Sequence, residues 1–374
     1  MRSWLLLFPA LPVLAADPTW REVQPILERR CVQCHQKGEI APMAFTSYAD
    51  ARPFAKAIRQ AVAVTQTMPP WHAAKGSHPF RNDRSLSFAE INTLTAWADS
   101  GARDGTPAQP SAAAAGPSQW KLGRPDRTVK VPGFAVPASG QLNYSFLIVP
   151  LDLKEDTWIR AAEFRIDQRG AVHHINAFVR PPGSSYLAEF PKNEIFSPTV
   201  VQRAKRHASE RVFDRRQLVL GYEPGYEPMP WLADGAKLIP AGSDLVLEMH
   251  FNPNGKPVTD FSEFGIYFAP AAPNHRILAI DALRDLDFQI PPQAAGFVSQ
   301  AARTMERPVR LLSIQPHMHV RGKSMKVRAI YPARPNGDDH RRPPLRLQLA
   351  DDLCPGQAHR LTPRHPARIH GRLR

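Results

Sequence analysis

Cysteine is scarce in this chain of 374 residues, which contains only three. Cys31 and Cys34 belong to one short motif, and Cys354 stands alone. The sequence therefore offers no disulfide framework. We expect packed apolar cores to supply the stability instead, and a hydrophobic fraction of 43% is sufficient to build them.

Long apolar runs are equally rare. Residues 4–14 form an apolar run that follows Arg2 and precedes Ala15 and Ala16, which is typical of a cleaved export signal. The run is shorter than a membrane-spanning helix, and no later segment is long and apolar enough to cross a bilayer. The pattern predicts a signal peptide over residues 1–16 and a periplasmic or secreted protein that is not transmembrane. A membrane anchor or a buried helix is the alternative interpretation of this run.

A basic-aromatic stripe is also missing, although the net charge is +14. Residues 340–374 contain eight arginines and two aspartates, which gives +6, so the remainder of the chain carries only +8. Because this remainder is spread along the sequence, we do not expect nucleic-acid binding.

The spacing of apolar residues divides the chain into a helical part and a β part. Residues 17–105 carry helical spacing, and Ser87-Phe88-Ala89-Glu90 is a capping box that predicts a helix through Trp97. Residues 106–118 form a linker of low complexity. Beyond Trp120, short alternating runs are broken by turn residues, a pattern that predicts β-sandwich or jelly-roll units.

The strongest motif is Cys31-Val-Gln-Cys34-His35. Two thiols at this spacing reach the two vinyl groups of one haem, and the adjacent histidine becomes the proximal iron ligand. Within a helical segment behind an export signal, the motif predicts covalently attached haem c. A redox or zinc-binding cysteine pair is the alternative.

A methionine is the expected sixth iron ligand, since thioether ligation is common in c-type haem proteins. Met68, followed by two prolines, has the chain length to return over the distal side of a haem. Met43 lies only eight residues past His35, which is a short path to that side. We favour Met68; the methionine that is not a ligand would then pack in the core, and His72 and His78 are weaker candidates.

Five histidines stand in strand-like runs of the β part: His173, His174, His250, His317 and His319. Alternate residues of a strand face one side, so His317 and His319 are able to bind one metal. His173 and His174 would face opposite sides of a regular strand, and joint ligation therefore needs a strand end or a bulge. Imidazole ligands suit copper or zinc.

Several motifs now resemble one known family, the type II copper, ascorbate-dependent monooxygenases represented by peptidylglycine α-hydroxylating monooxygenase and dopamine β-monooxygenase. The chain is most similar to bacterial members fused behind a cytochrome c domain. The motifs that carry the resemblance are Cys31-Val-Gln-Cys34-His35, Ala41-Pro42-Met43, Met68-Pro69-Pro70-Trp71, Asn82-Asp83-Arg84-Ser85-Leu86, His173-His174, Gly221-Tyr222-Glu223-Pro224-Gly225, Leu238-Ile239-Pro240-Ala241-Gly242-Ser243, Glu248-Met249-His250-Phe251-Asn252-Pro253-Asn254-Gly255 and Pro316-His317-Met318-His319-Val320-Arg321-Gly322.

The resemblance implies a multidomain fold: an α-helical cytochrome c domain, then mainly-β tandem jelly rolls over residues 119–282 and 283–339, the second of them incomplete. It further implies two copper sites. One has His173, His174 and His250 as ligands and stores an electron, and the other has the catalytic pair His317 and His319. The implied reaction is the hydroxylation of a C–H bond in a small-molecule or peptide-like substrate with O2. A tethered haem then fits as the relay from an electron donor.

The final stretch, residues 340–374, departs from the family pattern. The family's oxygen-binding copper has a methionine on a later strand as its third ligand, yet no methionine follows Met325. No Phe, Trp, Tyr or Val follows Tyr331, so we predict that the tail cannot complete a β-sandwich. A reading frame shifted by one base permits strand-like residues here. We therefore interpret the tail as out of frame and expect hydroxylase activity to be weak or absent.

Two other functions compete with this interpretation. One is a periplasmic electron-transfer cytochrome whose β part is a non-catalytic binding module. The other is a zinc hydrolase, which needs a general base beside the histidines. The only acidic neighbour, Glu248, is expected to face the side of its strand opposite the ligand.

Overall fold

The computed structural model shows a chain that is mainly β-sheet with few helices, consistent with a β-sandwich. It describes residues 16–71, 73–74, 79–105, 120–198, 217–229, 231–279, 289–294, 296–305, 309–316, 322–329, 346–348, 359–361 and 366–373. The predicted export signal up to residue 15, the linker over residues 106–118, and the residues His72, His78, His317, His319 and Cys354 lie outside the described residues.

The helices of the described chain are short and precede every strand. They are α1 (Trp20–Arg30), α2 (Tyr48–Ala51), α3 (Ala55–Arg59) and α4 (Phe88–Asp99). The predicted capping box at the start of α4 is confirmed, because the Ser87 hydroxyl accepts from the Glu90 amide and the Glu90 carboxylate accepts from the Ser87 amide. Apolar side chains of α1 and α4, including Leu27, Leu94 and Trp97, are buried in one small core of their own.

The strands follow in chain order. They are β1 (Arg127–Lys130), β2 (Phe134–Val136), β3 (Ser145–Pro150), β4 (Thr157–Arg165), β5 (Val172–Arg180), β6 (Ile195–Phe196), β7 (Leu218–Tyr222), β8 (Gly235–Ile239), β9 (Asp244–Phe251), β10 (Val258–Asp260), β11 (Glu263–Phe268), β12 (His275–Arg276), β13 (Phe297–Thr304), β14 (Val309–Leu311), β15 (Gly322–Ala329), β16 (Arg346–Gln348), β17 (His359–Leu361) and β18 (Pro366–Leu373).

Two five-stranded sheets share the largest core. One has the order β6-β3-β9-β5-β7, and the other has the order β1-β11-β4-β8-β12. Buried side chains from both sheets meet between them, among them Leu147 and Ile175 from the first and Phe164 and Ile266 from the second. The arrangement follows from the alternation of each strand, which turns every second side chain toward the opposing sheet.

The central strand β9 is buried on both faces. Leu245, Leu247 and Met249 point into the main core. Val246, on the opposite face, belongs to a second apolar cluster with Phe178 of β5. Both strands that carry His173, His174 and His250 are therefore held rigidly along most of their length.

That residues 340–374 cannot complete a β-sandwich stays a prediction, although the described part of this tail does form strands. β18 pairs antiparallel with both β13 and β15, and β16 and β17 pair with β15 and β14. The physical reason is that a strand ladder is built from backbone N–H and C=O groups, which this segment has regardless of its side chains. The out-of-frame origin of the tail stays a prediction.

Within the described residues, we find no helix with the length and apolar character of a membrane span.

A buried ion pair fixes one end of β5 against β9. The Arg180 guanidinium donates to the Asp244 carboxylate at 2.7 and 3.1 Å and to the carbonyls of Tyr186 and Leu187 at 3.0 Å. The side chains of Arg180 and Asp244 are only 7% and 10% exposed. Lys192 adds a further bond to Asp244 at 3.0 Å.

We therefore expect Asp244→Ala to lower the free energy of unfolding by about 3–5 kcal/mol, because it leaves the buried guanidinium without its counter-ion. The matched control is Glu227→Ala, which removes an exposed partner of Lys121 and is expected to cost less than about 1 kcal/mol. Urea unfolding followed by tryptophan fluorescence measures both variants. Equal losses in the two would show that the Arg180–Asp244 pair does not stabilise the sheet.

Candidate metal centre

Three histidines meet where β5 and β9 run side by side. His174 lies opposite His250 in the antiparallel register, whereas Val172 lies opposite Phe251. His173 is thus the additional residue of a β-bulge, so that both adjacent histidines stand against one residue of β9. The bulge supplies the irregular geometry that joint ligation by neighbouring residues requires.

The ring nitrogens of these histidines converge. The Nδ1 atom of His173 lies 3.2 Å from the Nδ1 of His250 and 3.0 Å from the Nδ1 of His174. One ring nitrogen of each residue falls within a group whose members are all within 4.8 Å of one another. Two imidazole nitrogens bound to one metal at about 2.0–2.1 Å lie roughly 3.3 Å apart in a tetrahedral site. The spacing of the three rings therefore fits a shared metal ion.

Tyr144 lies over this cluster. Its ring stacks on the ring of His250 at 4.7 Å and 14° and lies 5.3 Å from that of His174. Burial lowers the pKa of His250, the charge of His173 lowers it further, and a hydrogen bond to the backbone of Leu142 raises it in part. His250 is therefore kept neutral, which is the form of imidazole that binds metals.

The predicted orientation of Glu248 is wrong. Met249 points into the main core, so its neighbours Glu248 and His250 share the opposite face of β9. The two residues are separated by two positions, and alternation therefore places them on one side of the strand. The Glu248 carboxylate accepts a hydrogen bond from the Asn176 amide at 3.2 Å. A buried negative charge thus lies on the same face as the histidines and favours a bound cation.

The Cys31–His35 motif forms a tight turn at the end of α1. The amides of Cys34 and His35 both donate to the carbonyl of Cys31, at 3.1 and 2.9 Å. The His35 ring stacks on Phe45 at 4.3 Å, and its Nδ1 lies 3.2 Å from the carbonyl oxygen of Met43. A carbonyl only accepts, so Nδ1 carries the proton and Nε2 keeps its lone pair for a ligand bond.

Both cysteines of the motif are protonated thiols in this environment. Burial raises the pKa of Cys31 to about 12, with a smaller contribution from Cys34, and burial also raises the pKa of Cys34. Reactive redox cysteines have lowered pKa values, because the thiolate is the nucleophile. The arrangement therefore speaks against the alternative of a redox-active pair.

The two candidate methionines lie in different surroundings. Met43 is partly buried against the helical core, and its carbonyl bonds His35. Met68 is 42% exposed, so its thioether is not committed to core packing. Assignment of Met68 as the sixth ligand stays a prediction.

The second pair, His317 and His319, lies outside the described residues. Gln315, two positions before His317, is described and makes a hydrogen bond. The Gln315 amide donates to the Glu223 carboxylate at 3.0 Å, just beyond the end of β7. This hydrogen bond connects the segment before His317 to the turn that follows β7.

Sequence reasoning missed Tyr144, Asn176 and the true face of Glu248. The strand alternation of Glu248-Met249-His250 contained the signal for Glu248. Tyr144 had no such signal, because its contact with His250 depends on the pairing of β3 with β9 next to it.

Comparisons with known proteins do not assign this chain to a family. No protein-family profile matches it, and neither does any curated protein. Among solved structures, it is similar to one described as the structure of the Macrobrachium rosenbergii nodavirus, with 11% identity over 71% of this chain and 90% of that one. The TM-score is 0.16, which is too low to carry a conclusion about fold or function.

Proposed function

We propose that this chain is an exported redox protein that carries one covalent haem c on residues 17–105 and copper at the three-histidine site of the β part. The observation that carries the proposal is the bulge at His173, which brings three imidazole nitrogens within ligand distance of one another. Ring nitrogens that converge in this way are what a shared metal ion requires of its imidazole ligands.

At the copper site, the chain's own residues supply ligands and a cover. His173, His174 and His250 would hold the ion. Tyr144 limits access to His250 from one side, and Glu248 contributes negative charge on the same face. Copper supplies one-electron redox chemistry when it is bound. Zinc fits the same imidazole ligands, but it has no redox chemistry to exchange with a haem.

At the haem site, Cys31 and Cys34 would form the thioether bonds, and His35 would bind iron through Nε2. The hydrogen bond from Nδ1 to the Met43 carbonyl holds the ring in the required tautomer. Met68 completes the ligand set in the proposal. Haem c supplies a one-electron carrier when it is attached.

The finer proposal follows from the family that the sequence resembles. In that scheme His317 and His319 form the oxygen site, and the reaction is the hydroxylation of a C–H bond in a small-molecule or peptide-like substrate. The competing function is electron transfer with a non-catalytic β part. A zinc hydrolase is less well supported, because the Glu248 carboxylate is buried and bonded to Asn176.

Electron transfer from haem to copper tests the proposal. The chain is produced with c-type haem maturation, loaded with Cu²⁺, and its haem is reduced by a flash-activated donor without oxygen. We expect the ferrous absorption band to decay as the copper signal in electron paramagnetic resonance disappears. The Zn²⁺-loaded protein is the control and should keep its haem reduced. A haem that stays reduced in the copper-loaded protein would contradict the proposal.

A further inference from the structure

The haem-attachment turn is docked against the turn that follows β7. The Gln33 side chain donates to the carbonyl of Gly225 at 3.0 Å, and the Arg84 guanidinium donates to the same oxygen. Gly225 has φ +85°, and a Cβ there would lie 2.5 Å from Arg84 Nη1 and 3.5 Å from Cys34 Sγ. The positive φ of this residue favours glycine, and a side chain here would also displace the Arg84 guanidinium.

A partly buried ion pair closes the same contact on its other side. Arg169 Nε lies 2.6 Å from Glu39 Oε1, and the two side chains are only 15% and 10% exposed. Glu39 is four residues beyond His35, and Arg169 is four residues before His173. The pair thus joins the segment of the haem motif directly to the segment of the histidine cluster.

The docked turn leads to a histidine ligand through the sheet. Gly225 belongs to the turn that follows Tyr222, the last residue of β7. Tyr222 is 2% exposed and pairs with Ile175 of β5, the residue next to His174. The path from the Cys31–His35 motif to His174 therefore consists of the Gln33–Gly225 hydrogen bond, a short backbone segment and one strand pairing.

We propose that this junction, formed by Gln33, Glu39, Arg84, Arg169 and the Tyr222–Gly225 turn, is the route by which electrons enter the copper site from the haem. The inference rests on the proposed function. With both groups bound, one electron would pass from ferrous haem held by Cys31, Cys34 and His35, leaving it ferric, to a cupric ion held by His173, His174 and His250, which would become cuprous. No proton or group moves in this step, so a rigid, closely packed junction is what the chain must provide.

Charge reversal tests the junction. Glu39→Arg and Arg169→Glu each place two like charges in a partly buried contact, where their repulsion is screened less than at the surface. We expect each single variant to undock the two parts, seen as a larger radius of gyration in X-ray scattering, and to slow the flash-triggered haem-to-copper transfer at least tenfold. The double variant Glu39→Arg/Arg169→Glu restores the opposite charges and should recover most of both properties.

The matched control is Asp99→Arg, which makes the same change of charge in the exposed Arg59–Asp99 pair within the helical part. It should leave docking and transfer unchanged. The ferrous haem spectrum and the copper resonance of each variant show that both parts are folded and loaded.

Three results would contradict the proposed role of the junction in electron transfer. They are wild-type transfer rates in the single variants, undocking without slower transfer, and a double variant as slow as the single ones. Absence of transfer in the unsubstituted, copper-loaded chain would instead overturn the proposed function. The two failures are therefore distinguishable.

Discussion

Replacement of His250 by alanine is expected to abolish copper binding at the three-histidine site. His250 is the one ligand supplied by β9, and both histidines of the β5 bulge stand against it. Its loss leaves only His173 and His174, one imidazole fewer than the converging set of three. Loss of a partner outside the ligand shell already weakens metal binding by about 10–100-fold, so we expect loss of a direct ligand to weaken it by more than about 100-fold.

Titration with Cu²⁺, followed by electron paramagnetic resonance, measures this effect. The control variant is His275→Ala, which removes a half-exposed histidine paired with Asp234, away from the bulge. It should bind copper as the unsubstituted chain does. Tight copper binding that survives in His250→Ala would show that the cluster of His173, His174 and His250 is not the metal site.

The paired substitution Cys31→Ala/Cys34→Ala is expected to abolish covalent haem attachment completely. Both thioether bonds need these sulfur atoms, and the turn that presents them is fixed by the bonds from the Cys34 and His35 amides to the Cys31 carbonyl. Haem staining of the denatured protein on a gel measures attachment directly, because only covalently bound haem remains with the chain.

The remaining cysteine provides the matched control for that experiment. Cys354→Ala removes the third thiol of the chain without touching the motif. It should retain full haem staining. Staining that is retained in the paired variant, or lost in Cys354→Ala, would show that the Cys31–His35 motif is not the attachment site.

Local signals in the sequence predicted the local structure well. The capping box at Ser87 and Glu90 involves only neighbouring residues, and it forms as expected. The requirement for a strand end or a bulge at His173 and His174 also came from local geometry, because adjacent residues alternate in a regular strand. Such features depend on a few consecutive residues, so they are visible in the sequence.

Features that depend on packing between distant segments could not be predicted in this way. The Glu39–Arg169 ion pair joins residues 130 positions apart, and nothing near either residue indicates its partner. Tyr144 reaches His250 only because β3 lies beside β9.

One expectation failed for an identifiable reason. Glu248 was assigned to the wrong face although its separation from His250 by two positions puts both on one side of β9. The sequence of residues 366–373 is basic and has few apolar side chains, yet β18 pairs with β13 along its whole length and with β15 from Ala367 to Leu373. Side-chain composition decides how well a strand packs, whereas the backbone alone decides whether it is able to pair.

Metal analysis of the haem-loaded, copper-treated protein tests the central claim most directly. After free copper is removed, we predict one haem iron and at least one copper ion per chain, and the loss of one copper ion in His250→Ala. Iron without copper would contradict the account and support a cytochrome with a non-catalytic β part.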